Sequence, residues 1–260
     1  MLRPGGYAYF DAPFAALAHR GGFSPAAPLA VENSLRAFAA AWDLGYRYLE
    51  TDVHVTSDGV LVAFHDDSLD RVTDRQGKIC DLPWSEVQRA RVDGREPIPR
   101  FEDLLGAWPD VRINVDPKAD RAVEPLAEVL VRGHAIERVC IGAFSDRRLA
   151  RLRARLGPRL CTSMGPVGVA RLRAASAGLP VGHLTVPCAQ VPVRAGRVTI
   201  VDERLVATAH DLGVQIHVWT IDDRAEMERL LDLGVDGIMT DDPATLRSVL
   251  EDRGQWFGRP

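Results

Sequence analysis

Short apolar runs alternate with longer amphipathic stretches along almost the whole chain. The short runs have the length and hydrophobicity of buried strands. We therefore predict nine strands, at residues 15–18, 46–55, 59–64, 111–115, 139–143, 160–163, 183–186, 215–220 and 237–240.

The amphipathic stretches carry apolar residues at a helical spacing. In residues 33–44, for example, Leu35, Phe38, Ala39 and Trp42 fall on one face of a helix. The other predicted helices are residues 122–131, 146–156, 167–177, 202–212, 222–233 and 243–250.

Alternation of strand and helix along a whole chain predicts a parallel β-sheet covered by helices. A length of 260 residues is close to the roughly 250 that are typical of one TIM (β/α)8 barrel. An open, doubly wound sheet is the alternative that the same alternation allows. We predict an α/β fold, a TIM barrel that forms a single catalytic domain over residues 1–260.

One long polar stretch interrupts this alternation between His65 and Phe101. It is rich in Asp, Arg, Gly and Pro, and it is longer than an ordinary loop between a strand and a helix. Long loops at the carboxyl-terminal face of a barrel usually shape its active site. We predict a small insertion over that face at about residues 67–100, after the second strand region; a surface excursion without a role is the alternative.

Composition and charge narrow the possible partners. The net charge is −4, whereas a nucleic-acid surface needs clustered basic charge, so we expect no nucleic-acid partner. No apolar run approaches the roughly 18 residues of a membrane span, and the first residues lack the apolar core of a signal peptide. The four cysteines match no zinc motif and suit buried thiols in a reducing compartment. We therefore expect a cytoplasmic protein without stable membrane insertion; its oligomeric state stays open.

Two carboxylates end the strand predicted at residues 46–55. Glu50 and Asp52 are two positions apart, so their side chains share one face of that strand. Like charges held this close repel unless a cation lies between them, and carboxylate oxygens suit a hard divalent ion. Asp116, at the end of a later strand, can supply a third carboxylate. A solvated acidic edge is the alternative interpretation.

Two histidines and two cations also follow predicted strands, where barrel enzymes carry their catalytic groups. His19 and His65 can transfer protons near neutral pH. Arg20 can bind a phosphate with its planar set of donors, and Lys118 can add a further positive charge. Asp66 either orients His65 or only caps a turn, and Lys118 has the alternative of an ordinary surface lysine.

An ordered series of motifs makes the interpretation specific. Together the motifs resemble the glycerophosphodiester phosphodiesterase family, in its order and at its spacing, over roughly residues 14–250. They are His19-Arg20-Gly21, Glu32-Asn33-Ser34, Glu50-x-Asp52, Thr56-x-Asp58-Gly59, His65-Asp66, Asn114-x-Asp116-x-Lys118, Trp219-Thr220 and the run from Gly234 to Pro243.

The resemblance implies a TIM barrel with a small insertion after the His-Asp motif, and it implies a role for each motif. His19 and His65 would be the acid–base pair. Glu50, Asp52 and Asp116 would bind one divalent cation, Mg²⁺ or Ca²⁺. The substrate-binding residues would be Arg20 and Lys118 at the phosphate and Trp219 at the glycerol or alcohol, with Glu32 and Asn33 in support. For Trp219, packing within the barrel is the alternative.

This chain departs from the family pattern at two positions. Asp116 stands where the family usually has Glu, so the metal would sit slightly differently or a water would fill the gap. Ser34 replaces the usual Thr and keeps the hydroxyl that can cap a helix. Neither departure removes a reacting group.

The implied activity is metal-dependent hydrolysis of glycerophosphodiesters to glycerol 3-phosphate and an alcohol. A phosphodiesterase of the lysophospholipase D or sphingomyelinase D type is the nearest alternative. It is disfavoured because the chain has no obvious apolar or basic membrane-binding segment. A barrel that binds phosphodiesters without catalysis is the alternative of another class.

Overall fold

The computed structural model of the protein describes residues 6–22 and 31–259. The described strands, in chain order, are β1 (Ala15–Ala18), β2 (Tyr48–Val55), β3 (Leu61–Ala63), β4 (Arg91–Val92), β5 (Glu96–Pro97), β6 (Arg112–Pro117), β7 (Val139–Ile141), β8 (Cys161–Thr162), β9 (Cys188–Pro192), β10 (Arg194–Ala195), β11 (Val198–Thr199), β12 (Gln215–Trp219) and β13 (Gly237–Thr240). The described α-helices are α1 (Leu35–Asp43), α2 (Trp84–Val87), α3 (Phe101–Ala107), α4 (Val123–Arg132), α5 (Asp146–Leu156), α6 (Pro166–Ser176), α7 (Glu203–Asp211), α8 (Arg224–Asp232) and α9 (Pro243–Asp252).

The main sheet is a barrel of eight parallel strands. Its order is β8-β7-β6-β2-β1-β13-β12-β9, and a parallel bridge between Ser163 and Cys188 joins the two ends of that order. This closure confirms the predicted TIM barrel and excludes the open, doubly wound sheet. Because all eight strands run in the same direction, their carboxyl ends meet at one face.

Several of the helices begin at polar caps. Ser34, Ser145 and Asp202 each accept a hydrogen bond from a backbone N–H in the first turn of the next helix. This satisfies a donor that has no partner within the helix. The capping use expected for Ser34 is therefore confirmed.

Two predicted strands differ from the structure. Residues 183–186 form no strand; β9 begins at Cys188, where buried Cys188, Ala189 and Val191 replace the more exposed side chains that precede them. The run at 59–64 contains β3, but β3 pairs antiparallel with β2 and is not a barrel strand. Both strands were predicted from hydrophobicity alone. Hydrophobicity does not show whether an apolar run forms a strand at all, or with which strand it pairs.

The stretch after His65 has a small hydrophobic core of its own. It contains α2 and the β4–β5 hairpin, and its buried side chains include Leu69, Ile79, Val87 and Ile98. These pack with Val62 and Phe64, which lie in or next to β3. The stretch after His65 therefore packs on the barrel through β3.

Three thiols lie together in the buried core. Cys140, Cys161 and Cys188 come from neighbouring strands, are fully buried and have sulfur atoms within 4.8 Å of one another. All four cysteines are free, as expected, but Cys80 is only partly buried. Burial raises the pKa of the Cys140 thiol, so it stays neutral and packs as an apolar group.

Across residues 6–22 and 31–259, none of the helices has both the length and the apolar character that crossing a bilayer requires.

Candidate active site

The carboxyl ends of the barrel strands surround one open cleft of about 780 Å³. Its lining includes all the catalytic, metal-binding and substrate-binding residues expected from the sequence: His19, Arg20, Glu50, Asp52, His65, Asp116, Lys118 and Trp219. The two supporting residues, Glu32 and Asn33, are buried behind this lining.

A tight turn after β1 presents the first two of these side chains. Arg20 adopts a left-handed backbone conformation with φ of 52°, within the 3₁₀ turn His19–Gly21. The backbone N–H of Asn33 donates to the Arg20 carbonyl oxygen at 2.9 Å, and the Asn33 side chain accepts from Thr51 Oγ1 at 2.7 Å. Asn33 thereby fixes the turn against β2.

Each histidine in the cleft is held by a carboxylate. His19 Nδ1 donates to Asp241 Oδ1 at 2.6 Å, and His65 Nδ1 donates to Asp66 Oδ1 at 2.6 Å. The second bond agrees with the orienting role considered for Asp66. With both Nδ1 atoms engaged, Nε2 is the ring nitrogen left to exchange a proton with a bound molecule.

Arg71 connects the His65 pair to the far side of the cleft. Its guanidinium donates to Asp66 Oδ2 at 2.5 Å and to Glu32 Oε1 at 2.6 Å. Glu32 in turn accepts two longer bonds of 3.4 Å from Arg20. The polar stretch after His65 thus supplies an arginine that links Asp66 to Glu32, the carboxylate that also contacts Arg20.

Buried carboxylates and cations alternate at the floor of the cleft. Lys118 Nζ lies 2.6 Å from Asp52 Oδ1 and 3.0 Å from Asp116 Oδ2. Arg20 donates its backbone N–H to Glu50 Oε2 at 3.2 Å, and its Nε lies 3.2 Å from Asp52 Oδ2. His19 Nε2 is 3.7 Å from Glu50 Oε2.

This arrangement shifts the pKa values of its members in different directions. Burial, followed by the charge of Asp52, raises the pKa of Glu50 to about 7. Burial opposes ionisation of Asp52 as well, but Lys118 and Arg20 outweigh it and lower the pKa of Asp52. Burial lowers the pKa of His19, yet Glu50 and the bond to Asp241 leave it raised overall. Ionisation of Glu50 is therefore less favourable than that of an exposed glutamate.

The chemistry of the three carboxylates fits a hard divalent cation. Asp116 Oδ1 is buried and accepts no hydrogen bond within the described part of the chain, and Asp52 Oδ2 accepts none there either, although it is ion-paired with Arg20 Nε at 3.2 Å. Three carboxylates face two full cations here, so a further positive charge would be stabilised. Among the described residues, however, the three carboxylates do not bring one oxygen each to within 4.8 Å of both others, and Lys118 lies between Asp52 and Asp116.

Two residues that support the histidine–carboxylate pairs had no role assigned from the sequence. Asp241 lies 222 positions from His19, and Arg71 lies in the polar stretch after His65. Asp241 directly follows β13, so its place at a strand end was the available signal. Its backbone N–H donates to Asp222 Oδ1 at 2.7 Å, which fixes it in turn. For Arg71 the sequence offered no comparable signal.

The turn that carries His19 and Arg20 depends on a glycine. Gly21 has φ of +86°, and a Cβ atom there would lie 2.8 Å from the backbone of Ala37 and Phe38. Gly59 has a similar φ of +91° but open space around it.

We therefore expect Gly59→Ala to lower the free energy of unfolding by about 1–2 kcal/mol through backbone strain alone. Gly21→Ala should cost more, because the clash with α1 adds to the same strain. Urea unfolding of both variants measures the difference. Equal losses would contradict the close approach at Gly21.

Comparisons with known proteins identify the family of the chain. A model of the glycerophosphoryl diester phosphodiesterase family matches residues 19–245. A Mycobacterium tuberculosis protein named "Probable glycerophosphodiester phosphodiesterase 2" is 41% identical over 251 residues, covering 94% of this chain and 93% of that protein. A glycerophosphodiester phosphodiesterase of Caldanaerobacter subterraneus subsp. tengcongensis is 30% identical over 252 residues, covering 92% of this chain and 98% of that protein.

A solved structure shows the same fold. It is that of an Oleispira antarctica phosphodiesterase in complex with the product sn-glycerol-3-phosphate. It superposes with a TM-score of 0.77 at 22% identity, covering 94% of this chain and 99% of that one. With the family match over residues 19–245, these comparisons confirm the resemblance seen in the motifs. The chain belongs to the glycerophosphoryl diester phosphodiesterase family.

Proposed function

We propose that the protein hydrolyses glycerophosphodiesters to sn-glycerol 3-phosphate and an alcohol, with His19 and His65 as the proton-transferring residues. The observation that carries this proposal is the pair of histidines in one cleft, each bound through Nδ1 to a carboxylate. Family membership supports the reaction class.

Two cations are available for the phosphate. Arg20 and Lys118 both line the cleft beside the histidines. A phosphodiester is a monoanion, and negative charge grows on its oxygens during the reaction. Fixed positive charge at this position therefore stabilises the transition state more than the bound substrate.

The histidines divide the two proton transfers between them. One accepts the proton of the nucleophile, which is water or the neighbouring glycerol hydroxyl of the substrate. The other donates a proton to the departing alcohol oxygen. The Asp241 and Asp66 carboxylates hold the rings in one orientation and stabilise the charged form during the transfer.

Glu50, Asp52 and Asp116 are the residues that would hold a divalent cation, Mg²⁺ or Ca²⁺. Such an ion, when bound, supplies Lewis-acid stabilisation of the phosphoryl oxygens. Trp219 would contact the glycerol or alcohol part of the substrate from the cleft wall. Glu32 would keep Arg20 and Arg71 in place.

Two further expectations belong to the proposal. The stretch at about residues 67–100 would cover the carboxyl-terminal face as an insertion of the single barrel domain; the contacts of Arg71 support this. The protein would act in the cytoplasm, which the four free cysteines support.

Three substrates test the reaction: glycerophosphocholine, a lysophospholipid and an aryl phosphodiester such as bis-p-nitrophenyl phosphate. Each is incubated with and without Mg²⁺ or Ca²⁺. Release of sn-glycerol 3-phosphate from glycerophosphocholine is followed with a coupled dehydrogenase, release of lysophosphatidic acid from the lysophospholipid by mass spectrometry, and release of p-nitrophenol from the aryl diester by absorbance. We expect hydrolysis of glycerophosphocholine. Cleavage of the lysophospholipid alone would instead support the lysophospholipase D type. Binding without turnover of any substrate would support a non-catalytic barrel.

The carboxylates behind the histidines provide a test of orientation. Asp241→Asn and Asp66→Asn should each lower kcat/KM by about 10-fold to 100-fold, as is typical when an outer partner of an oriented histidine is removed. Asp236→Asn is the matched control, because Asp236 accepts from the exposed His210 outside the cleft. Activity unchanged in both cleft variants would contradict the role of the pairs.

A further inference from the structure

The lining of the cleft is divided by chain position. Every described lining residue before residue 120 is polar or charged, and these include the two histidines and the three carboxylates. The lining after residue 140 is mainly apolar. The first half of the barrel thus forms a catalytic wall and the second half an apolar wall, and the two face each other across one cleft.

The apolar wall is large and built from several elements. Phe144 follows β7, Val169 lies on α6, Ile200 follows β11 and Trp219 ends β12. Phe144 and Trp219 meet edge to face with ring centroids 5.7 Å apart. Phe144 is nevertheless 69% exposed, so one of the largest apolar side chains of the wall lies open to solvent beside the reacting groups. An exposed aromatic at a cleft mouth is typical of a binding surface.

Charge on the apolar wall is sparse and already paired. Arg173 is the one charged residue among the described lining residues after position 140. Its guanidinium donates to Asp202 at 2.8 Å and to Ser176 at 2.6 Å. A cationic headgroup would meet no carboxylate on this wall, whereas a hydrocarbon group would bury apolar surface there.

The position of the phosphate fixes which part of a substrate reaches this wall. In the proposed function, Arg20, Lys118 and both histidines would hold the phosphoryl group at the catalytic wall. One substituent of a bound phosphodiester must then extend across the cleft toward Phe144 and Trp219. The cleft volume of about 780 Å³ is within the range that encloses drug-sized ligands, so a chain of several methylenes has room.

We propose that the preferred substrate is a phosphodiester carrying a hydrocarbon chain, and that this chain lies along the wall formed by Phe144, Val169, Ile200 and Trp219. The inference rests on the proposed function for the position of the phosphate. It adds the class of substrate that the cleft selects. A small cationic alcohol alone would leave most of the apolar wall uncovered.

Two substrate series test the preference for a hydrocarbon chain and distinguish a chain on the leaving alcohol from one on the glycerol. The first contains sn-glycerol 3-phosphodiesters of ethanol, hexanol and decanol, with the chain on the leaving alcohol. The second contains glycerophosphocholine and its lysophospholipids with six-carbon and ten-carbon acyl chains, kept below their micellar concentrations. We expect kcat/KM to rise about twofold or more per methylene over the first few methylenes in at least one series. A gain in either series supports the proposal and identifies the side of the phosphate that faces the apolar wall.

Substitutions at two exposed phenylalanines test whether the chain-length preference depends on the apolar wall. Phe144→Ser should lower the ratio of kcat/KM for the decyl and ethyl diesters by about tenfold, since it removes buried apolar contact area from the longer chain only. Phe257→Ser is the control, because Phe257 is also exposed, at 40%, and lines a separate small cavity. We expect the control to leave the ratio unchanged. An equal effect of both variants would contradict the assigned wall.

A binding measurement separates this inference from the proposed reaction. Titration calorimetry with ethyl and decyl methylphosphonate, which are anionic and resist hydrolysis, should show at least tenfold tighter binding of the decyl compound. Chain-independent binding, together with chain-independent kcat/KM, would overturn the inference even if glycerophosphocholine is hydrolysed. Tighter decyl binding without any hydrolysis would overturn the proposed function and leave the apolar wall supported. A preference for glycerophosphocholine over every chain-bearing substrate would also overturn the inference, because it would assign Trp219 to a quaternary ammonium group.

Discussion

Replacing either His19 or His65 with alanine is expected to lower kcat/KM for glycerophosphocholine by about 100-fold to 10,000-fold. The reason is that each imidazole would perform one proton transfer, and no other described histidine lines the cleft. Steady-state kinetics on purified variants, with protein folding checked by circular dichroism, measures the loss. Both losses should appear mainly in kcat, since the transfers occur in the transition state.

The stability of these variants should change far less than their activity. His19→Ala leaves Asp241 without its hydrogen-bond partner, which costs about 1–3 kcal/mol at a partly buried site. His183→Ala is the matched control, because His183 is an exposed residue outside the cleft lining. It should retain full activity. Near-normal turnover by either cleft variant would remove that histidine from the proposed reaction.

Removal of divalent metal is expected to have the second large effect. Activity should fall about 100-fold or more in EDTA and return on addition of Mg²⁺ or Ca²⁺, because a Lewis acid at the phosphate contributes several kcal/mol. The structural basis is the cluster of Glu50, Asp52 and Asp116, with two buried carboxylate oxygens that accept no hydrogen bond within the described residues. Titration of each metal into the chelated enzyme then shows which ion the site prefers.

Asp52→Asn tests whether the cluster is the metal site. It removes one ligand charge, so the metal concentration for half-maximal activity should rise by at least tenfold. Glu96→Gln is the control, since Glu96 pairs with Arg36 outside the cleft lining. Full wild-type activity in chelator would refute metal dependence. An unchanged metal requirement in Asp52→Asn would place the ion elsewhere.

Much of the fold followed from local pattern. The alternation of apolar runs and amphipathic stretches predicted the barrel, and the closed ring of eight parallel strands confirms it. Two of the predicted strands do not pair as expected, because hydrophobicity alone does not show whether an apolar run pairs with a strand or in which direction. The run at 183–186 is not a strand, and the run at 59–64 is an antiparallel neighbour of β2.

The candidate site could also be predicted in part from local sequence pattern. Glu50 and Asp52 were expected to share a face because strand side chains alternate, and both line the cleft. His19 and His65 were found because they follow predicted strands. Their roles as acid and base, and that of the carboxylates as metal ligands, stay predictions until the experiments above are done.

Local periodicity determines which face of its own strand a side chain occupies, and to this extent the sequence alone determined the barrel. The ordered motifs, through their resemblance to a known family, predicted the family and the candidate reacting groups. Distances between strands depend on how the ring closes, which no single segment encodes. Only the tertiary structure therefore brings Asp241 to His19 across 222 positions and places Lys118 between Asp52 and Asp116. The same closure sets the charged first half of the barrel opposite the apolar second half, because the carboxyl ends of all parallel strands meet around one opening.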